Sequence, residues 1–99
     1  MDKINIKLKL YGMLKSYAQN EDVLLIMVPE SASIPQLAKQ LHAELIERNK
    51  ELPTAKSQEL MQLIESSAFA KGDEILDQND KNSLQPNDLV AVLPPVCGG

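Results

Sequence analysis

The sequence has no tryptophan, one phenylalanine, one histidine, one cysteine and four glycines. Each scarcity closes off a class of function. A single cysteine, Cys97, leaves no disulfide within the chain, which fits a reducing cytoplasm. One histidine, His42, and one cysteine cannot assemble a metal cluster in one chain. The glycines, Gly12, Gly72, Gly98 and Gly99, form no glycine-rich phosphate loop. No apolar run approaches the roughly 20 residues that a bilayer span requires. The opening "MDKINIKLKL" alternates charge with aliphatics, unlike a signal peptide. An excess of positive charge is missing too: the formal net charge of −4 argues against nucleic acid as the main partner.

What is present suits one domain with one modest core: 99 residues, of which 43% are hydrophobic. Charge is unevenly spread. Lys3, Lys7, Lys9 and Lys15 crowd the start, whereas Asp73, Glu74, Asp77, Asp80 and Asp88 crowd the last third. Solvated faces are the plain reading of these runs, and an acidic face that docks a basic enzyme surface is the sharper one. Asp73 and Glu74 are adjacent carboxylates at a turn, which favours solubility over acid–base work. His42 lies beside an apolar helical stripe and reads as a boundary residue. No self-contained enzyme is expected.

"INIKLKLY" has a period of two, with Ile4, Ile6, Leu8 and Leu10 on one face and Asn5, Lys7, Lys9 and Tyr11 on the other. That predicts a half-buried strand. After a polar break, the run in "NEDVLLIMVPE" predicts a second strand ended by Pro29, joined to the first as a hairpin. The period then changes. Ile34, Leu37, Ala38, Leu41 and Leu45 form one helical stripe, with Ser33 and Gln36 placed for a capping box and Pro35 tolerated in the first turn. Pro53 interrupts, and a short helix is expected over residues 56–65, carrying Leu60, Leu63 and Ile64. "SSAFAKGDEIL" reads as strand, turn, strand around Lys71-Gly72-Asp73. "NSLQPND" is a turn-rich connection anchored by Leu84, and "DLVAVL" is a strong final strand.

The last seven residues, "LPPVCGG", are unlike an ordinary frayed end. If the final strand stops near Leu93, six residues lie beyond it. At roughly 3.1–3.4 Å each when extended, they reach about 20 Å, enough for a buried pocket in another protein. They are expected to bury nothing in the free domain. Pro94 and Pro95 stiffen the base and lower the entropy lost on insertion. Gly98 and Gly99 have no side chains to clash in a narrow channel, and the reactive group delivered is the α-carboxylate of Gly99.

"DLVAVLPPVCGG" resembles the C-terminal signature of the small subunit of molybdopterin synthase, within the ubiquitin-like sulfur carriers. That family ends in an acidic residue, an apolar strand, Pro-Pro-Val, a variable residue and Gly-Gly. Here these are Asp88, Leu89 to Leu93, Pro94-Pro95-Val96, Cys97 and Gly98-Gly99. "LYGMLKSYA" is similar, more weakly, to the family's first strand and the turn after it. The chain departs from the family pattern at "AKGDEI", where Lys71 stands near the turn, and in the long polar stretch of residues 48–66.

The element order β-β-α-β-β agrees with the α+β, ubiquitin-like β-grasp: a mixed sheet, one main helix on one face, and the last strand beside the first. Residues 1–93 then form the domain and residues 94–99 an extended tail. The resemblance implies a sulfur carrier that is not catalytic by itself. Gly99 is adenylated by a ubiquitin-activating-like adenylyltransferase using ATP and magnesium, and no cofactor belongs to this chain. A persulfide from a sulfur-donor enzyme converts Gly99 to a thiocarboxylate. The tail (Pro94, Pro95, Val96, Cys97, Gly98) enters the large synthase subunit, and the sulfur passes to cyclic pyranopterin monophosphate. Two small and two large subunits form a heterotetramer. By the resemblance, Cys97 is a passive spacer.

Parity adds a docking face. Val90 and Val92 are expected inward, so Leu89, Ala91 and Leu93 point out, with Tyr11 and Phe69 joining them in an exposed patch beside the tail. Three rival readings are a thiamine-pathway sulfur carrier, a ubiquitin-like protein modifier and a plain interaction module.

Overall fold

The computed structural model describes residues 3–19, 21–30, 32–76 and 84–95. Eight elements follow in order: β1 (Lys3–Leu10), α1 (Met13–Tyr17), β2 (Val23–Pro29), α2 (Ile34–Arg48), α3 (Thr54–Glu65), β3 (Ala68–Lys71), β4 (Glu74–Ile75) and β5 (Leu89–Leu93). The strands form one mixed sheet in the order β2-β1-β5-β3-β4. β1 is antiparallel to β2 and parallel to β5, and β3 is antiparallel to both β4 and β5.

Alternation decides the faces. Ile4, Ile6, Leu8 and Leu10 of β1 are buried, as are Leu24, Ile26 and Val28 of β2. They share one core with Ile34, Leu37, Ala38, Leu41 and Leu45 of α2, the stripe that the sequence predicts. Fully burying each such Leu or Ile contributes roughly 1.5–3 kcal/mol. The capping box is formed: the Gln36 N–H donates to Ser33 Oγ, and the Ser33 N–H donates to Gln36 Oε1 at 2.8 Å.

Two local expectations change. The β1–β2 link contains the five-residue helix α1 rather than a plain turn. Its one fully apolar anchor is Leu14, which is too little to produce a visible period in the sequence. α3 begins at Thr54, directly after Pro53, two residues earlier than predicted, because Pro53 is tolerated as the helix N-cap. It packs Leu60 and Ile64 into the core beside α2. The β3–β4 turn is as expected, with Gly72 at φ +62° in a two-residue hairpin loop. Leu84, the expected anchor of the following connection, is buried.

Asn49 ties the helices together. Its side-chain amide donates to the carbonyls of Tyr17 at 2.7 Å and Leu45 at 2.8 Å, joining the end of α1 to the end of α2. Arg48 adds ion pairs to Glu21 and Glu44, each at 3.1 Å. No helix among the described residues is long and apolar enough to cross a membrane.

Candidate functional site

β5 occupies the middle of the sheet and leads directly into the prolines, so its two ends govern where the tail leaves the domain. At the start, Asn87 takes φ +68° in the turn that reverses the chain. Asp88 fixes that turn. Its Oδ2 accepts from the Gln85 N–H at 2.7 Å and from Lys71 Nζ at 2.9 Å. Partial burial pushes the Asp88 carboxyl up, but the Gln85 N–H and the Lys71 ammonium outweigh it and hold the group below its ordinary range. The Lys7 N–H donates to the Asp88 carbonyl at 2.8 Å, and the Asn87 N–H to the Asn5 carbonyl at 2.7 Å. The strand is therefore secured before its first side chain.

Within β5, Val90 and Val92 are fully buried, while Leu89 and Leu93 point out with 48% and 37% of their surface exposed. Tyr11, the residue after β1, is exposed beside them, and Lys9 Nζ lies 5.6 Å from its ring centroid, within cation–π range. Phe69 is different. It was expected in this patch, yet it is 2% exposed and belongs to the core. Register explains the correction: Phe69 stands opposite inward-facing Val92, whereas its neighbours Ala68 and Ala70 stand opposite Leu93 and Ala91. The outer face of β3 is thus presented by alanines.

At the far end, Pro94 is half-buried and Pro95 exposed. The expectation that nothing beyond β5 packs on the domain therefore fails at Pro94, which rests on Gly12. Gly12 precedes α1 with φ 60° and ψ −136°, a backbone state that side chains disfavour. A Cβ there would stand 3.3 Å from Pro94 Cγ. Around this contact lies an open apolar groove of about 520 Å³, lined by Tyr11, Gly12, Met13, Leu63, Leu93 and the two prolines. Met13 is 59% exposed, and Leu63 comes from α3.

Sequence reasoning named Tyr11, Leu89, Leu93, Pro94 and Pro95, and the structure brings all but Leu89 to this groove. It missed Gly12, Met13 and Leu63. The first two lie within "LYGMLKSYA", a stretch singled out for its family likeness without a contact assigned to it. Val96, Cys97, Gly98 and Gly99 lie outside the described residues.

Other candidates for chemistry are structural. His42 Nε2 lies 3.0 Å from the Ser57 carbonyl oxygen and 3.3 Å from Ser57 Oγ, bridging α2 to α3. Among the described residues, no three His, Cys, Asp or Glu side chains converge as a metal site.

A sequence model of the ThiS family matches residues 9–99. The chain belongs to the ThiS family of ubiquitin-like sulfur carriers. No curated protein sequence matches it. Solved structures agree on the fold. The Haloferax volcanii small archaeal modifier protein SAMP1 aligns over 96% of this chain and 99% of its own, with 18% identity and a TM-score of 0.63. A Pyrococcus furiosus protein assigned as molybdopterin converting factor subunit 1 aligns over 94% and 99%, with 19% identity and a TM-score of 0.62. Ubiquitin of Caldiarchaeum subterraneum aligns over 99% and 100%, with 14% identity and a TM-score of 0.58. The fold is thus the ubiquitin-like β-grasp, as the element order implies. Small sulfur carriers of this kind are typically non-catalytic by themselves.

Proposed function

We propose that this ThiS-family chain is the sulfur-carrier subunit of a molybdopterin synthase. The observation that carries the reading is the course of β5. It is bonded on both sides, is secured at Asp88, and delivers the chain through Pro94 and Pro95 to a sequence ending Val96-Cys97-Gly98-Gly99. A rigid base and a thin end suit a group that must be carried into another protein's pocket.

The carboxylate of Gly99 is inert until activated. A ubiquitin-activating-like adenylyltransferase, using its own ATP and magnesium, joins AMP to it and releases pyrophosphate. The outer sulfur of a donor persulfide then attacks the adenylate and expels AMP to give an acyl disulfide. A thiol reduces that S–S bond, itself becoming part of a disulfide, to free the thiocarboxylate. In the large subunit the terminal sulfur is transferred to cyclic pyranopterin monophosphate, and two such transfers build the dithiolene. The groove of Tyr11, Met13, Leu63 and Leu93 gives each partner an apolar surface beside the tail's root. Two small and two large subunits complete the complex. Catalytic side chains belong to the partners, and Cys97 is a spacer.

Intact-mass analysis tests this directly. The chain is incubated with an activating enzyme, ATP, magnesium and a sulfur donor, then presented to the large subunit with the pterin substrate. The expected results are one oxygen-for-sulfur exchange at Gly99 and its reversal as molybdopterin forms. A thiocarboxylate that the large subunit never consumes points instead to the thiamine pathway. Conjugates linked through Gly99 to protein lysines point to a modifier.

A further inference from the structure

The free edge of the sheet carries features that sulfur transfer leaves unused. β2 lies at one end of the strand order, paired only with β1 among the described residues. Val23, Leu25 and Met27 on its outer face are 38%, 55% and 54% exposed, an uncharged apolar row. Between Val23 and Val28 there is no lysine, no proline and no acid, the residues that ordinarily guard an edge strand.

The ladder fixes which backbone groups remain free. Leu10 donates its N–H to the Asp22 carbonyl at 2.8 Å, just before the registered pairs Leu8–Leu24, Ile6–Ile26 and Ile4–Val28. Bonded positions alternate in an antiparallel pair. Leu24, Ile26 and Val28 therefore turn their N–H and C=O towards β1, and Val23, Leu25 and Met27 turn theirs to the open edge. The same three residues thus present unpaired backbone and exposed apolar side chains together.

We propose that this edge pairs with β2 of a second copy of the chain, antiparallel about a two-fold axis through Leu25. In that register Leu25 faces Leu25 of the other copy and Val23 faces Met27, so every outward group of the three residues is bonded. The charges agree: Glu21 falls opposite Pro29 and Asp22 opposite Val28. Moving the axis to Ile26 sets Asp22 against Glu30 and Val23 against Pro29, which has no N–H to give. Charge and proline placement thus favour the first register over the one centred on Ile26. The occupant is a second copy because this row is complementary to itself under the two-fold operation. So small a contact falls short of the roughly 800 Å² per partner of a standard complex, so the dimer is weak and concentration-dependent. β1 separates β2 from β5, so the contact lies on a different strand from the one that leads into Pro94 and Pro95.

Sedimentation equilibrium from about 10 µM to about 1 mM, with amide hydrogen exchange at both limits, tests the pairing. The mass is expected to rise towards two copies, with the Val23, Leu25 and Met27 amides gaining protection while Leu24, Ile26 and Val28 stay protected throughout. Leu25→Lys sets two cations face to face and is expected to raise the dissociation constant about tenfold. Its melting temperature should hold, since Leu25 is largely exposed; Met27→Lys serves in its place if that chain fails to fold. A mass that stays at one copy, or climbs past two, overturns the proposal. So does a dimer whose three odd-numbered amides exchange equally fast at both concentrations, or one indifferent to the lysine.

Discussion

Pro94 Cγ lies 3.3 Å from the point where a side chain on Gly12 would begin, so a side chain there would press on the residue after β5 and push it back by a few tenths of an ångström. The contact sets the direction in which the chain leaves the sheet.

Gly12→Ala is expected to destabilise the domain by about 1–3 kcal/mol from its positive φ alone. That corresponds to a melting temperature lower by roughly 4–8 °C for each kcal/mol. Adding Pro94→Ala should recover the part due to the contact and none of the part due to φ. Thermal melts of the two single variants and the double variant give the coupling. Strict additivity would mean that Pro94 does not rest on Gly12 in solution.

Asp88 makes stability depend on pH with a definite sign. Its folded carboxyl titrates below the unfolded value of about 3.9, so the charged form is favoured by folding. The stabilisation is fully present above that value and is lost as pH falls through the lower folded one. Asp22 behaves likewise through its hydrogen bond and ion pair with Lys15 at 2.7 Å, although it is far more exposed. Denaturant melts of Asp88→Asn between pH 6 and pH 2 should show reduced stability at the upper end and a shallower acid loss. A variant that tracks the parent at every pH would remove Asp88 from the turn.

Deleting Gly98 and Gly99 is expected to abolish thiocarboxylate formation while leaving the melting temperature unchanged. Intact mass reads the first and calorimetry the second. A lower melting temperature would reveal a structural role for the tail's end.

If the proposed function holds, Leu93→Glu should weaken binding to the large subunit by several kcal/mol, since the charge would enter a contact that loses water on docking. Leu93 is already 37% exposed, so folding should tolerate the change. Titration calorimetry together with a melt separates the outcomes: normal binding by an unstable chain would make Leu93 a core residue.

The strand and helix faces were written in the sequence wherever a period ran long enough. β1 repeats its alternation over eight residues and α2 its stripe over fifteen, so each buried position is over-determined. β3 has four residues, and in so short a strand a slip of one turns Phe69 from core to surface. Only pairing with β5 settles it. The groove was half visible for another reason. Leu93 and the prolines carry a sequence signature, but Leu63 reaches them from a separate helix. Glycine at position 12 answers to a local positive φ and to a proline near the opposite end of the chain, neither of which a periodic pattern records.

The central placement of β5 has a mechanical consequence. Force applied to the tail runs along the strand axis, while the hydrogen bonds to β1 and β3 lie across it. A pull must therefore shear both ladders at once instead of peeling one bond after another. A partner that holds the last residues in its pocket while the complex is strained should therefore leave the domain folded.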